Sequence, residues 1–475
     1  MLKKGKYLLI PGLLFFMGLP ALSARQAACD CEVVFQQMTE KLEANYIGLR
    51  HFLDRGKGPE YEQRKADYTK KAGAVTGEEC AAFLQDFLDY FEDGHLYVFE
   101  RPKFDEAKLA TIKAKVEGAR MEADELRKQL ERQRADNPDD QVLGRYADGT
   151  SEFIIVKAGD VYKAYVLSSE NENLKPGQMK ASFSKATQGF RGTYYANNGT
   201  PMFMKGGLYK EGTLLRIESF IWIKTDSDKE RELSMVNFEG GTGWPTVQKL
   251  DDENVLMSIP NFSVDYEVWK SVVAENKELL QNARNLIIDI RGNRGGNAIY
   301  FSIFDLFSDQ RREGSQGHVL ASEDNKAYFS RYKSKIYKRV VQDMEENMGE
   351  IVDGPAYPSA FTRRSKKSKV QQVAILTDSA CMSAAESFII HAKKSSTLVK
   401  TFGSPTDGVI DYTSVNAILL ESGDQNIYFG YPTGTLHKDI PENGFNKTGI
   451  VPDVPIDGRV MDKVAFIMEY YKKAK

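Results

Sequence analysis

The spacing of apolar residues along this chain changes character twice. From Glu32 to Tyr46 the residues Phe35, Met38, Leu42 and Tyr46 recur at helical spacing, which predicts an amphipathic helix. A second helix is predicted from the capping box Thr76–Glu79, with Leu84, Phe87, Leu88 and Phe91 on one face and an end near the "EDGH" of residues 92–95. Residues 104–136 are rich in Lys, Glu, Arg and Ala and read as a solvated helix or helical linker. Between 143 and 225 the period falls to two. The runs "EFIIVKAG", "VYKAYVLSS", "GTYYANNG" and "LLRIESFIWIK" alternate with Gly and Asn turn signals, which predicts a small antiparallel sheet or barrel. From 226 onward apolar strands alternate with helices: "NVLMSIP", a helix over 265–283, "NLIIDI", "VAILT", a helix after Ser383, and "TLVKTFG". Continuous apolar strands interleaved with helices predict an α/β layer of largely parallel strands buried on both faces.

The 475 residues exceed one ordinary core, and the changes of pattern divide them into helical (25–142), β-rich (143–225) and α/β (226–475) regions. A formal net charge of −3 gives no basic excess for nucleic acid. Residues 1–24 have the form of a secretory signal peptide: Lys3, Lys4 and Lys6, then an apolar run broken by Pro11 and Gly12, then "ALSA". No other stretch is long and apolar enough to span a bilayer, so a periplasmic or secreted chain is expected. Four cysteines suit an oxidising compartment, with Cys80 expected to pair with Cys29 or Cys31. Lipidation of Cys29 is disfavoured, because "RQAAC" lacks the aliphatic residue a lipobox needs three positions earlier.

Three places offer chemistry. Ser383 stands where "VAILT" gives way to a helix, with Glu386 three residues on. That spacing makes a capping box, but a strand-to-helix turn also presents a nucleophile, with the N–H of Ala384 and the positive helix end facing a developing oxyanion. The loop "DIRGNRGGN" (289–297) lacks the G-x-G-x-x-G of dinucleotide sites and the Lys-Ser/Thr of phosphate loops. It is either a tight loop with an Asp289–Arg291 ion pair or a source of bare backbone N–H groups near a substrate carbonyl. Among five histidines, His391 shares a helix with Ser383 but lies about 12 Å along its axis, whereas His95 follows a helix end and can reach a cleft. No histidine pair has metal-ligand spacing, so neither a metal nor another cofactor is expected.

Taken together, "NLIIDIRGNRGGN", "VAILTDSACMSAAESF" and "TGIVPDVPI" resemble the tail-specific (C-terminal processing) serine peptidase family over about 230–460. The resemblance implies a crotonase-like α/β catalytic domain, here preceded by an N-terminal helical segment and a small antiparallel β domain. It implies hydrolysis of a protein or peptide substrate with Ser383 as nucleophile. The oxyanion hole would come from Gly295 or Gly296 together with Ala384. The lysine that many members carry after "TFG" is replaced by Ser404, whereas "FEDGHLYV" matches the tricorn-like branch, whose base is a histidine; that implies His95. Gly94 stands where that branch has a serine, and Glu442 in "PENGFNKTGIVPD" is the candidate third member, offset by a gap. The β-rich region stands where a PDZ-type insert would be, and none of the candidate residues lies in it. The alternative implied by the retinoid-binding relatives is a catalytically inactive protein that binds peptides or apolar ligands on the same fold.

Overall fold

The computed structural model describes residues 29–473 except 102–105, 148–150, 170, 187–188, 197–198, 210–211, 213, 218–219, 227–244, 311–314, 357–363, 424, 447, 458–459 and 461. The signal peptide expected over 1–24 lies outside the described residues.

The described chain opens on helices that include α1 (Cys31–Asn45), α2 (Gly58–Ala72) and α3 (Gly77–Leu88), with the short helical turns Ile47–Phe52 and Leu53–Lys57 between the first two. Asp30 caps α1, its side chain accepting from the N–H groups of Glu32 and Val33. The Thr76–Glu79 capping box takes the form of a side-chain pair, Thr76 Oγ1 to Glu79 Oε2 at 2.8 Å. Helix α2 has no counterpart in the periodicity reading, because its inward face is carried by only Tyr61, Tyr68 and Ala72 among many charges. A disulfide joins Cys80 to Cys31 rather than to Cys29. With a sequence separation of 49, this link is worth about 4 kcal/mol of loop entropy. The charged stretch 104–136 contains helices Glu106–Gly118 and α4 (Ala123–Asp136).

The β-rich region is a closed barrel, with the eight strands β2–β9 in chain order after β1 (Tyr97–Glu100). These are Gly144–Ala147, Ser151–Ala158, Val161–Ser169, Met179–Lys185, Phe190–Tyr195, Pro201–Tyr209, Leu214–Ile217 and Phe220–Lys224, closed by β2 pairing with β9. Closure removes sheet edges, and stacked rings such as Phe153 on Trp222 (4.1 Å between centroids) fill the interior. Leu126 and Leu130 of α4 pack onto the same core.

Two sheets make up the remainder. The first runs β10 (Thr246–Lys249), β11 (Asn254–Ser258), β12 (Asn285–Asp289), β15 (Gln372–Thr377), β16 (Val399–Gly403), β19 (Val454–Pro455), parallel from β11 onward. Its central strands β11, β12 and β15 are buried almost throughout because both faces are covered. Leu286, Ile288, Val373 and Ile375 enter a core with Trp269 and Phe388, while Ile287, Ala374 and Leu376 face Ile467 and Tyr471. The expected helix over 265–283 is divided at Asn276 into α5 (Tyr266–Glu275) and Lys277–Asn282.

The second sheet is antiparallel and was not legible in the alternating pattern. It contains β1, β18 (Ile427–Thr435), β13 (His318–Leu320), β14 (Ile351–Asp353) and β17 (Tyr412–Leu419). Strand β18 is its centre, with Tyr97 of β1 opposite Gly430 and Tyr412 of β17 opposite Thr435. Helices α6 (Glu323–Phe329) and α7 (Lys335–Glu346) fold over it between β13 and β14.

Candidate active site

The glycine-rich loop follows β12 and the Ser383 turn follows β15. These strands are parallel neighbours, with Asp289 opposite Leu376, so both loops emerge side by side at the carboxyl end of the sheet, where open α/β sheets place their ligands. Hydrogen bonds fix the two loops to each other. Asp378 Oδ1 accepts from the N–H of Gly292 at 2.9 Å and of Ala380 at 3.1 Å, and the Met382 N–H donates to the Asn293 carbonyl at 3.1 Å. Asp289 and Arg291 form the buried ion pair, with Nη2 to Oδ2 at 2.9 Å, and do not face the cavity.

Ser383 is not an ordinary helix cap. Its backbone has φ +56° and ψ −119°, a region L-residues rarely occupy, at the start of the helix α8 (Ala384–Ser395) that follows. Its hydroxyl lies 3.0 Å from Nε2 of His95. The other ring nitrogen, Nδ1, is 2.7 Å from the Tyr412 carbonyl. A carbonyl can only accept, so Nδ1 carries the proton and Nε2 presents its lone pair to the Ser383 hydroxyl. His95 is only 7% exposed. Burial lowers its pKa; Asp93 and the Tyr412 carbonyl oppose that, while Arg294 and Lys205 push the same way as burial.

The two glycines differ. The Gly295 N–H is taken by Asn293 Oδ1 at 2.8 Å, so it is not available to a substrate. Its lack of a side chain matters sterically: a Cβ there would sit 2.8 Å from the Ala384 nitrogen and 2.9 Å from Ser383 Cβ, at a φ of +95°. Gly296 and Ala384 both line the cavity, and among the described residues neither N–H has a protein acceptor. Of the alternatives Gly295 and Gly296, only the Gly296 N–H is left facing the cavity beside Ala384, and Gly295 keeps the two loops close.

Glu442 is the candidate third member. Its carboxylate is exposed, and among the described residues the His95 ring nitrogen Nδ1 meets the Tyr412 carbonyl. Sequence reasoning missed Tyr412 because a backbone carbonyl leaves no residue-type signal. It also gave Glu386 only a capping role. That carboxylate is fully buried and accepts four hydrogen bonds: from Thr406 Oγ1 (2.6 Å) and Gly408 N (2.9 Å) on Oε1, and from Ser383 N (3.0 Å) and Val409 N (2.9 Å) on Oε2. Burial pushes its pKa up to about 7 against those donors.

Ser383, His95, Gly296 and Ala384 open on a cavity of about 990 Å³. Aromatic rings of Tyr97, Phe99, Tyr300, Phe301, Tyr328 and Phe329 line it, with Arg294 and Lys205 as its cations. Lys205 comes from β7, so the barrel forms part of the wall although it holds none of the residues expected to do chemistry. His391 lines the same cavity but bonds Tyr300 through Nδ1 at 3.0 Å and stays apart from Ser383. Lys400 points away, its Nζ 3.1 Å from the Tyr470 hydroxyl. Among the described residues no cluster of three His, Cys, Asp or Glu could hold a metal, and no helix is long and apolar enough to cross a membrane.

Residues 255–456 match the model of the family described as peptidase family S41. No curated protein matches the chain. Among solved structures, mature CPAF complexed with lactacystin is similar at 11% identity, covering 94% of this chain and 98% of that one, with a TM-score of 0.48. The photosystem II D1 C-terminal processing protease is similar at 13% identity over 90% of this chain and 94% of that one, with a TM-score of 0.37. The tricorn protease is similar at 13% identity over 94% of this chain and 37% of that one, with a TM-score of 0.40. The family match spans the glycine-rich loop, the Ser383 turn and the strands that carry them: residues 255–456 are a peptidase family S41 region, that of a serine peptidase.

Proposed function

We propose that the chain is an exported peptidase that cleaves peptide bonds through an acyl-enzyme on Ser383, with His95 as general base. The observation that carries this reading is the 3.0 Å contact between Ser383 Oγ and the unprotonated Nε2 of His95. As Oγ attacks the scissile carbonyl carbon, its proton passes to Nε2 and the carbonyl π electrons move to oxygen. The N–H groups of Gly296 and Ala384 receive that oxyanion. Each such donor is typically worth about 3 kcal/mol of barrier. Collapse expels the amine, which takes the proton from Nε2. Water then repeats the cycle on the ester, with His95 again removing the proton. The Tyr412 carbonyl holds the imidazole in the tautomer this sequence needs.

The proposal includes a crotonase-like catalytic region from 226 onward, placement in the histidine-using tricorn-like branch, and a signal peptide over 1–24 that directs the chain to the periplasm or beyond. The substrate is a protein or peptide. Nothing in the site favours the inactive binding-protein alternative, and the paired hydroxyl and imidazole count against it. The test is a fluorophosphonate probe followed by peptide mapping. Label on Ser383 that disappears in His95→Gln supports the reading; label elsewhere, or none on folded protein, overturns it.

A further inference from the structure

The carboxylate that supports the base sits beside it in the chain. Asp93 is 5% exposed, and both of its oxygens are engaged. Oδ1 accepts the backbone N–H of His95 at 2.9 Å, and Oδ2 accepts the hydroxyl of Tyr46 at 2.7 Å. Tyr46, at the end of α1, is itself buried and packs edge-on against the Tyr412 ring, 5.5 Å between centroids. One cluster from three distant segments thus encloses the "DGH" turn: Tyr46 below it, Tyr412 on the ring nitrogen, Ser383 in front.

We infer that Asp93 is the positioning residue of this site: its buried carboxylate fixes the His95 turn and supplies the negative charge that stabilises the imidazolium formed when Ser383 gives up its proton. The inference rests on His95 being the base. The ring itself has no carboxylate partner, since Nδ1 donates to a neutral carbonyl. Without a nearby anion, a buried imidazolium flanked by cations would be costly. The charged and titratable groups facing this cluster are Arg294 from the glycine-rich loop, Lys205 from the barrel, Asp407 and Asp411 from the segment before β17, the hydroxyls of Tyr46 and Tyr412, and, on the far side of Tyr412, His51, Arg55 and Glu442. Asp411 is committed elsewhere, accepting from the N–H groups of Phe445 (2.6 Å) and Asn446 (2.9 Å). Asp407 is exposed, beside Arg294 and Lys205. Asp93 alone pairs full burial with a hydrogen bond to His95.

The test replaces charge while keeping shape. Asp93→Asn retains an acceptor for the His95 N–H and removes the negative charge. The imidazole titration of His95 is followed by NMR in selectively labelled Ser383→Ala protein, its signal assigned by loss in His95→Gln. Removing an anion disfavours the charged ring, so the expected result is a His95 pKa lowered by about one unit. In the protein with Ser383 intact, kcat should fall about tenfold with KM unchanged, because the imidazolium exists only after proton transfer. Asp93→Glu should restore the titration towards the wild-type position while Asp93→Gln does not, a contrast that stands even if Asp93→Asn folds poorly. A purely structural Asp93 would leave the titration in place in both amide variants, and that result overturns the inference. Should His95→Gln itself retain full turnover, the base assignment fails instead, and the two failures are distinguishable.

Discussion

Ser383 reaches its contact with His95 from loops that follow two adjacent parallel strands, whereas His95 reaches it through a turn held by residues from the far ends of the chain. On the serine side, the glycine-rich loop, Asp378 and Glu386 lie within two contiguous motifs, 289–297 and 377–386, and bond chiefly to each other and to 404–410. On the histidine side, His95 precedes β1, Tyr412 opens β17, and both are placed by pairing with β18, while Tyr46 arrives from α1. A peptidase site can thus have one half encoded locally and the other assembled by tertiary pairing. The local half shows itself as a motif. The assembled half shows only the one histidine.

The most damaging way to probe that division is to remove one member from each side. Ser383→Ala and His95→Gln should each lower kcat by about 10⁴ or more, and the double variant should be no worse than the poorer single one, because the two act as a unit. Additive losses measured in steady-state assays would mean that the two sides do not share one proton transfer.

The next largest effect belongs to the serine side. Glu386→Ala leaves two loop N–H groups, the Ser383 N–H and the Thr406 hydroxyl without their acceptor inside the core. Urea unfolding should show a loss of about 3–5 kcal/mol. The same residue gives the fold a pH signature. Its folded pKa of about 7 lies above the ordinary 4.5, so the folded form holds the extra proton between those values. Its contribution to stability is therefore full below the ordinary value and is lost as pH rises through about 7. Glu386→Gln should flatten stability over that window while still lowering activity, since only the carboxylate can accept all four bonds.

How much of this was readable follows from the same division. The parallel sheet announced itself because both faces are buried and its strands are apolar without interruption, as in Leu286–Ile288. The Ser383 turn was readable because an apolar strand, the Ser383-x-x-Glu386 spacing and a helix follow one another within one motif. Gly296 and Gly295 could not be separated, since which N–H is occupied depends on the Asn293 rotamer. Glu442 was misplaced because a late carboxylate was sought in sequence where a backbone carbonyl serves. The antiparallel sheet went unseen because β1, β13 and β14 are three or four residues long and gain meaning only against β18. The barrel's part in the site was hidden too, carried by Lys205 and by Arg191, neither of which belongs to a motif.

Arg191 tests the barrel as a support for the histidine side. It is 10% exposed, pairs with Asp89, and lies 3.5 Å from Asp86, both just upstream of the "DGH" turn. Arg191→Ala leaves Asp89, 5% exposed, without its cation and should cost about 2–4 kcal/mol in thermal or urea unfolding. Probe labelling of Ser383 should slow several-fold at temperatures where the variant is still folded, because the turn loses its brace. Unchanged labelling would mean the barrel is only an attached wall.

The smallest and most selective effect separates two lysines. Lys205 lines the cavity and acts on His95, lowering its pKa; Lys400 is exposed and faces Tyr470. Removing a cation makes the protonated imidazole easier to form, so Lys205→Met should raise the His95 pKa. The acid limb of kcat/KM then moves to higher pH by a few tenths of a unit, with any change in substrate preference read as KM. Lys400→Ala should leave the limb and the rate within about twofold, as expected of a surface side chain away from the site. If Lys400→Ala abolishes turnover while His95→Gln spares it, the base belongs to the serine side after all, and the site would be encoded locally in both halves.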